Sequence, residues 1–140
     1  MIEYIHRVKV FVYDIREQSP NYLLVRASQG IESCWGPLHS PIGLGDQMET
    51  AIRRSVSEEL GLSLPAELVD LKMPVRSLLG DEEIIEWNFG FRVAPERNEP
   101  RLDERWAEYR WAQFGEAYPK LELEPDRAAI VRLHTMLSTN

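Results

Sequence analysis

The stretch GDQMETAIRRSVSEELGL, residues 45–62, specifies a helix and then complicates it. Met48, Ile52, Val56 and Leu60 recur every fourth residue, the spacing of one apolar helical face turned to a core. Asp46 with Glu49 three residues later has the form of an N-terminal capping box, and Gly61 is the expected C-terminal stop. The pairs Glu49–Arg53 and Arg54–Glu58, each four apart, suit a solvated outer face. Glu59 fits less well. Two carboxylates in a last helical turn oppose the helix dipole at a cost of about 0.3–1 kcal/mol each. Arg54 can offset one of them, in the less favourable orientation, and the helix offers nothing for the other.

Around this helix the chain reads mainly as strands. RVKVFVYDI (7–15) and YLLVRA (22–27) are β-branched and apolar, with REQSPN as the turn between them. SQGIES leads to Cys34, Trp35 and WGPLHSPIGLG, a loop rich in Gly and Pro. Beyond the helix, ELVDLKMPVRSLL (67–79) and EEIIEWNFGFRVA (82–94) form two strands about the turn GDE. Trp87, Phe89 and Phe91 alternate, as one strand face packing on a helix would; IIEWNFGF could serve a homodimer interface as readily as a core. PERNEPRLDERW is a charged, exposed loop, and EYRWAQF (108–114) is one more strand. From Pro125 to Leu137 a second helix turns Ala129, Ile130, Leu133 and Leu137 inward, with proline at its favoured first position. Strands interrupted by one helix and closed by another imply a single α/β sandwich domain over residues 1–140.

Composition narrows the partners. With 44% hydrophobic and 28% charged residues, the 140-residue chain is an ordinary globular sequence. Its 23 acidic and 16 basic residues leave a net charge of −7, which argues against a nucleic-acid groove or an anionic membrane as main partner. Acidity does not exclude phosphate ligands where a divalent cation screens them. Cys34 is the single cysteine and cannot form an intramolecular disulfide, so a reducing compartment is expected. No apolar run reaches a membrane span of ~18–20 residues, and MIEYIHR has no signal-peptide character, so a cytoplasmic location is expected. His6 and His134 lack metal-ligand spacing, and Cys34 reads as a small, part-buried residue.

A Mg²⁺ ion would supply the charge that Glu59 lacks, and carboxylates on one helical face are what such an ion requires. Here the segment resembles the signature helix of the Nudix hydrolases. Their pattern is Gly, five residues, Glu, seven residues, then Arg-Glu-apolar-any-Glu-Glu-any-Gly-apolar. Arg54, Val56 and Glu58-Glu59-Leu60-Gly61-Leu62 match it; Ser40 stands at the glycine, Asp46 at the first glutamate and Ser55 at the second. The order of elements agrees over most of the chain, from LLVRA through the tryptophan before the loop to the late EYRW strand and terminal helix.

The resemblance implies a Nudix-type α/β/α sandwich around a mixed sheet. It also implies hydrolysis of a nucleoside diphosphate linked to a further group, such as a nucleoside triphosphate, with Mg²⁺ or Mn²⁺. The nucleoside and dihydroneopterin triphosphate pyrophosphohydrolases are the branch most like it. Carried over residue by residue, Glu58, Glu59, Asp46 and the His39 backbone carbonyl would hold metal, with Arg54 orienting the carboxylates. Arg26 resembles a residue that meets substrate phosphate, and Trp35 one that walls a base pocket. A strand-end arginine and a core tryptophan are the alternatives.

The departures bear on activity. Asp46 keeps a carboxylate, whereas Ser40 and His39 replace glycines of the loop. Ser55 removes a full negative charge one turn from Glu59. A further carboxylate usually precedes the EYRW strand; that register falls on Arg105, with Glu104 beside it and Asp103 or Glu99 as substitutes. Two functions therefore stand side by side: a metal-dependent pyrophosphohydrolase weakened by its degenerate box, and a Nudix-fold protein that binds a nucleotide or a partner without turnover. A purely structural domain is disfavoured by the joint presence of Arg54, Glu58 and Glu59.

Overall fold

The computed structural model describes residues 3–28, 34–43, 45–62, 67–94 and 99–138. Six strands form one mixed sheet, β1 (Glu3–Arg16), β2 (Ser19–Ala27), β3 (Leu38–Pro41), β4 (Glu67–Leu79), β5 (Glu82–Arg92) and β6 (Trp106–Gln113). Three helices accompany them, α1 (Met48–Leu60), α2 (Phe114–Lys120) and α3 (Glu124–Ser138). The strand order is β4-β5-β1-β2-β6, with β3 also paired to β1. Among the described residues only β1 and β5 run parallel, and the other pairs are antiparallel. The expected sandwich around a mixed sheet is what the chain forms.

Alternation along the strands divides the core between two faces. Val8, Val10 and Val12 of β1 join Leu23 and Val25 of β2 under Ile52, Val56 and Leu60 of α1. Phe11 and Tyr13, with Tyr22 and Leu24, lie on the opposite face under Ala117 of α2 and Ala129, Ile130 and Leu133 of α3. Each fully buried aliphatic side chain contributes roughly 1.5–3 kcal/mol, so the two helical faces fix the layers. Phe89, Phe91 and Trp87 join the α1 side, as their alternation predicts. Within the apolar run of β5, Ile85, Phe89 and Phe91 are buried in this chain, while Ile84 and Trp87 are partly exposed. α3 approaches β5 at Gly90, where an added Cβ would lie 2.7 Å from Leu133 Cδ1.

Three local readings need correction. The first is the capping box. Gln47 is the N-cap of α1 and makes no side-chain capping bond, so Asp46 stands one residue too early for that role. Its carboxylate instead accepts from the Gly43 N–H at 3.1 Å, closing the turn before the helix. The second is the Gly- and Pro-rich loop, which contains strand β3 between Pro37 and Pro41. Four residues are too few to show a period. The third is α2, a single seven-residue helix with Pro119 inside it, equally short of a periodic signal. The stop at Gly61 is as expected: its φ is 63°, and the amides of Gly61 and Leu62 return to Ser57 O and Val56 O.

Candidate functional site

The loop before β6 docks on the C-terminal end of α1 through the main chain. The Arg101 N–H donates to Leu60 O at 2.8 Å and the Asp103 N–H to Glu59 O at 3.1 Å. These bonds satisfy carbonyls that a helix end leaves without intrahelical partners. Asp103 then turns the chain, accepting the Arg105 N–H at Oδ1 (3.0 Å) and the Trp106 N–H at its carbonyl (3.2 Å). Arg105 is thereby delivered to the last turn of α1. Its Nη1 lies 2.6 Å from Glu59 Oε1, and Glu59 is only 13% exposed.

The other end of the same guanidinium meets β3. Arg105 Nη2 donates to His39 Nδ1 at 2.8 Å, and Arg7 Nη2 from β1 donates to that nitrogen at 2.7 Å. Guanidinium groups only donate, so Nδ1 is an acceptor and His39 carries its proton on Nε2. Burial, reinforced by Arg7, Arg105 and Lys9, pushes the His39 pKa down to about 3, which keeps the ring neutral. The Arg105 guanidinium lies 4.7 Å from the centre of the Trp106 ring, which also meets His39 edge-on at 5.2 Å. Beside them Lys9 and Asp126 of α3 form a buried ion pair, and Arg7 lies 3.7 Å from Glu86. Arg7, Lys9, His39, Trp106 and Asp126 line one cavity with Cys34. The Trp106 indole N–H is buried, with no hydrogen-bond partner among the described residues.

The remaining expected residues are placed as follows. Ser55 is buried at 4% exposure on the inner side of α1. Arg54, expected opposite Glu58, donates to Asp46 at 3.0 Å; that bond holds the Asp46 carboxyl below its ordinary pKa. Glu58 is exposed. Glu104 is exposed as well, with its backbone carbonyl accepting the Ser28 hydroxyl at 2.8 Å, and it is Arg105 that reaches Glu59. Glu99 accepts from the Tyr109 hydroxyl at 3.0 Å. The Arg26 side chain pairs with Glu108 across the β2–β6 ladder and lies 5.6 Å from the Trp35 ring centre. Trp35 packs against the α2–α3 core, and the cavity is lined by its neighbours Cys34 and Gly36. His39 stands opposite Lys9 in the β1–β3 register.

Whether a divalent cation fits can be judged from these donors. Mg²⁺ takes several oxygen ligands in near-octahedral array. Ser55 offers a neutral hydroxyl, Glu59 is engaged by Arg105, and Asp46 is held by Arg54 and Gly43. Among the described residues, no three His, Cys, Asp or Glu side chains form a group able to hold a metal ion. The donor set does not fit such an ion. Sequence reasoning identified Arg105 as an anomaly of register. It missed the pairing with Glu59 and the roles of Arg7, Lys9 and the His39 ring, whose partners lie far apart in the chain.

The NUDIX domain family model matches residues 5–134. Solved structures with the same fold include a Caenorhabditis elegans Ap4A hydrolase binary complex, at 12% identity and a TM-score of 0.80 over 97% of this chain and 99% of that one. The NUDIX domain of Shewanella oneidensis NrtR complexed with ADP ribose superposes with a TM-score of 0.79, at 13% identity over 99% and 91%. The Escherichia coli dihydroneopterin triphosphate pyrophosphohydrolase gives 0.75, at 17% identity over 96% and 99%. No curated protein sequence matches the chain. No helix among the described residues is long and apolar enough to cross a membrane.

Proposed function

The chain belongs to the Nudix family, and we propose that its cleft takes a compound in which a nucleoside diphosphate is linked to a further group. The observation that carries this reading is the meeting of Arg7 and Lys9 with the aromatic wall of Trp106 around a cavity beside β1 and β3, which at about 60 Å³ has room for one phosphate group of such a ligand, the rest lying outside it. Guanidinium and ammonium groups suit phosphate oxygens, and an indole suits a ring face or a sugar edge. Ap4A and ADP ribose, the compounds named with two of the structures that share this fold, have this chemistry. With Arg105 on Glu59 and serine at position 55, binding is the function best supported, and turnover is secondary.

A second reading keeps the hydrolase. It is favoured by one observation, the presence of Arg54, Glu58 and Glu59 at matching positions of the signature helix, with Asp46 before it. That reading uses Mg²⁺ or Mn²⁺ and requires Arg105 to leave Glu59.

One experiment separates the two. A panel of nucleoside triphosphates, dinucleoside polyphosphates and nucleotide sugars is incubated with the protein while Mg²⁺ or Mn²⁺ is titrated. Phosphate or pyrophosphate release and thermal stabilisation are followed together. Stabilisation by one nucleotide class without release is expected for the binder. Metal-dependent release establishes the hydrolase, and no response of either kind from any compound would defeat the nucleotide assignment.

A further inference from the structure

Arg105 has an unusual set of neighbours for a loop arginine. One terminal nitrogen is on Glu59, the other on His39, and its flat face is near Trp106. A guanidinium fixed on two edges and one face has already lost most of its rotamer freedom, so ordering it further costs a ligand little. The loop carrying it is bonded to the end of α1 through the main chain, which fixes the position from below as well.

Charge arithmetic gives the arrangement a purpose. A carboxylate-only helix face carries an excess of negative charge that a divalent ion must balance. Here Arg105 stands against Glu59, Lys9 against Asp126 and Arg7 near Glu86, so each acidic group of the cleft already has a cation. A divalent ion arriving at Glu59 would have to displace a hydrogen-bonded guanidinium and gain only one carboxylate.

The His39 ring adds the second element. A single neutral nitrogen receives both Arg7 and Arg105, at 2.7 and 2.8 Å, and neutralises neither. Two guanidinium groups are thus held toward one point, their charges met from outside it by Glu59 and Glu86. An anion with several oxygens would use donors beyond those spent on His39 and Glu59, since each guanidinium has five.

We infer that Arg105 is the built-in cation of this site: it meets Glu59 in place of a divalent ion and, with Arg7, receives the diphosphate of the ligand without metal. This rests on the nucleoside diphosphate reading for the identity of the ligand, but not for its anionic part. Inorganic pyrophosphate is therefore the first probe.

The test is calorimetric titration of pyrophosphate into the full chain, once in EDTA and once in excess Mg²⁺. Binding in EDTA is expected, and Arg105→Gln and Arg7→Gln should each weaken it about tenfold or more. Arg105→Lys keeps the charge but loses the planar fork, and should recover only part of the affinity. Circular dichroism and thermal melts establish that each variant is folded. If Arg105→Gln does not fold, Arg7→Gln and Arg105→Lys still decide the matter. Binding that needs Mg²⁺, that fails in both buffers, or that survives both glutamine variants overturns the inference. ADP-ribose and nucleoside triphosphates follow in EDTA. If pyrophosphate binds but no nucleoside compound binds better, the nucleoside reading fails while the metal-free clamp stands. Nucleotide binding that appears only with Mg²⁺ has the opposite meaning.

Discussion

Glu59 Oε1 and Arg105 Nη1 lie 2.6 Å apart, joining the last turn of α1 to the loop before β6. A carboxylate set against the helix dipole is tolerated here because its cation comes from outside the helix. Removing either partner leaves the other charge part-buried and unpaired. Glu59→Gln and Arg105→Ala should each cost about 1–2 kcal/mol of stability in urea unfolding, more than an exposed pair would. The double variant should cost less than the sum, with a coupling of about 1 kcal/mol. A misplaced surface charge would instead make Glu59→Gln neutral or slightly stabilising, and strict additivity would show that the two groups act separately.

Restoring the family carboxylate is not enough to restore a metal site. Ser55 is buried at 4% exposure, so Ser55→Glu places a longer, charged side chain in the packed interior. The single variant should lose about 1–3 kcal/mol and bind Mn²⁺ no better than the parent while Arg105 remains on Glu59. Combined with Arg105→Ala it should bind Mn²⁺ at least about tenfold more tightly, as read by paramagnetic resonance or calorimetry. Equal affinity in the single and double variants would remove Arg105 from the competition.

The neutral His39 ring makes stability depend on pH in a defined direction. Its pKa is about 3 in the folded chain against an ordinary 6.5, so between those values the unfolded chain binds the extra proton. The contribution is complete above pH 6.5 and is lost as pH falls toward 3, at a limiting slope of about 1.4 kcal/mol per unit. His134, whose pKa is also lowered, acts in the same direction and is present in both proteins compared. The melting temperature of the parent should therefore fall further between pH 7.5 and pH 5 than that of His39→Gln. Parallel curves would mean that His39 is not buried as a neutral acceptor.

Lys9 and Asp126, side chains 8% and 3% exposed, tie the centre of β1 to the start of α3. Asp126→Asn leaves a buried ammonium without its counter-charge and should cost about 3–5 kcal/mol. Lys9→Met with Asp126→Leu removes both charges together and should recover most of that loss in thermal unfolding. A pair worth no more than a surface contact would make all three proteins melt alike.

The sequence carried the layers well where a period was long enough to be read. Ile52, Val56 and Leu60, like Ala129, Ile130 and Leu133, are buried as their spacing requires. β3 and α2 escaped notice because four and seven residues cannot display a period. The N-cap is not legible at Asp46 because a cap depends on which residue leaves helical geometry first, and that residue is Gln47. In the site, the register before the EYRW strand points to Arg105 but not to its partner. The Arg105–Glu59 contact depends on two amides meeting the end of α1, and Lys9–Asp126 closes across 117 positions. Neither distance leaves a local pattern in the chain.

The amides of Arg101 and Asp103 hold the loop to α1 by bonds that take no account of the side chain at position 105. That position is consequently a socket: its backbone path is set first and its occupant second. A single codon change there could exchange a cation encoded in the gene for one drawn from the surrounding fluid. On the proposed reading, the occupant present here would free the protein from fluctuations in divalent ion supply, and a return to metal would need a change at position 55 as well as at this one, without rebuilding the fold.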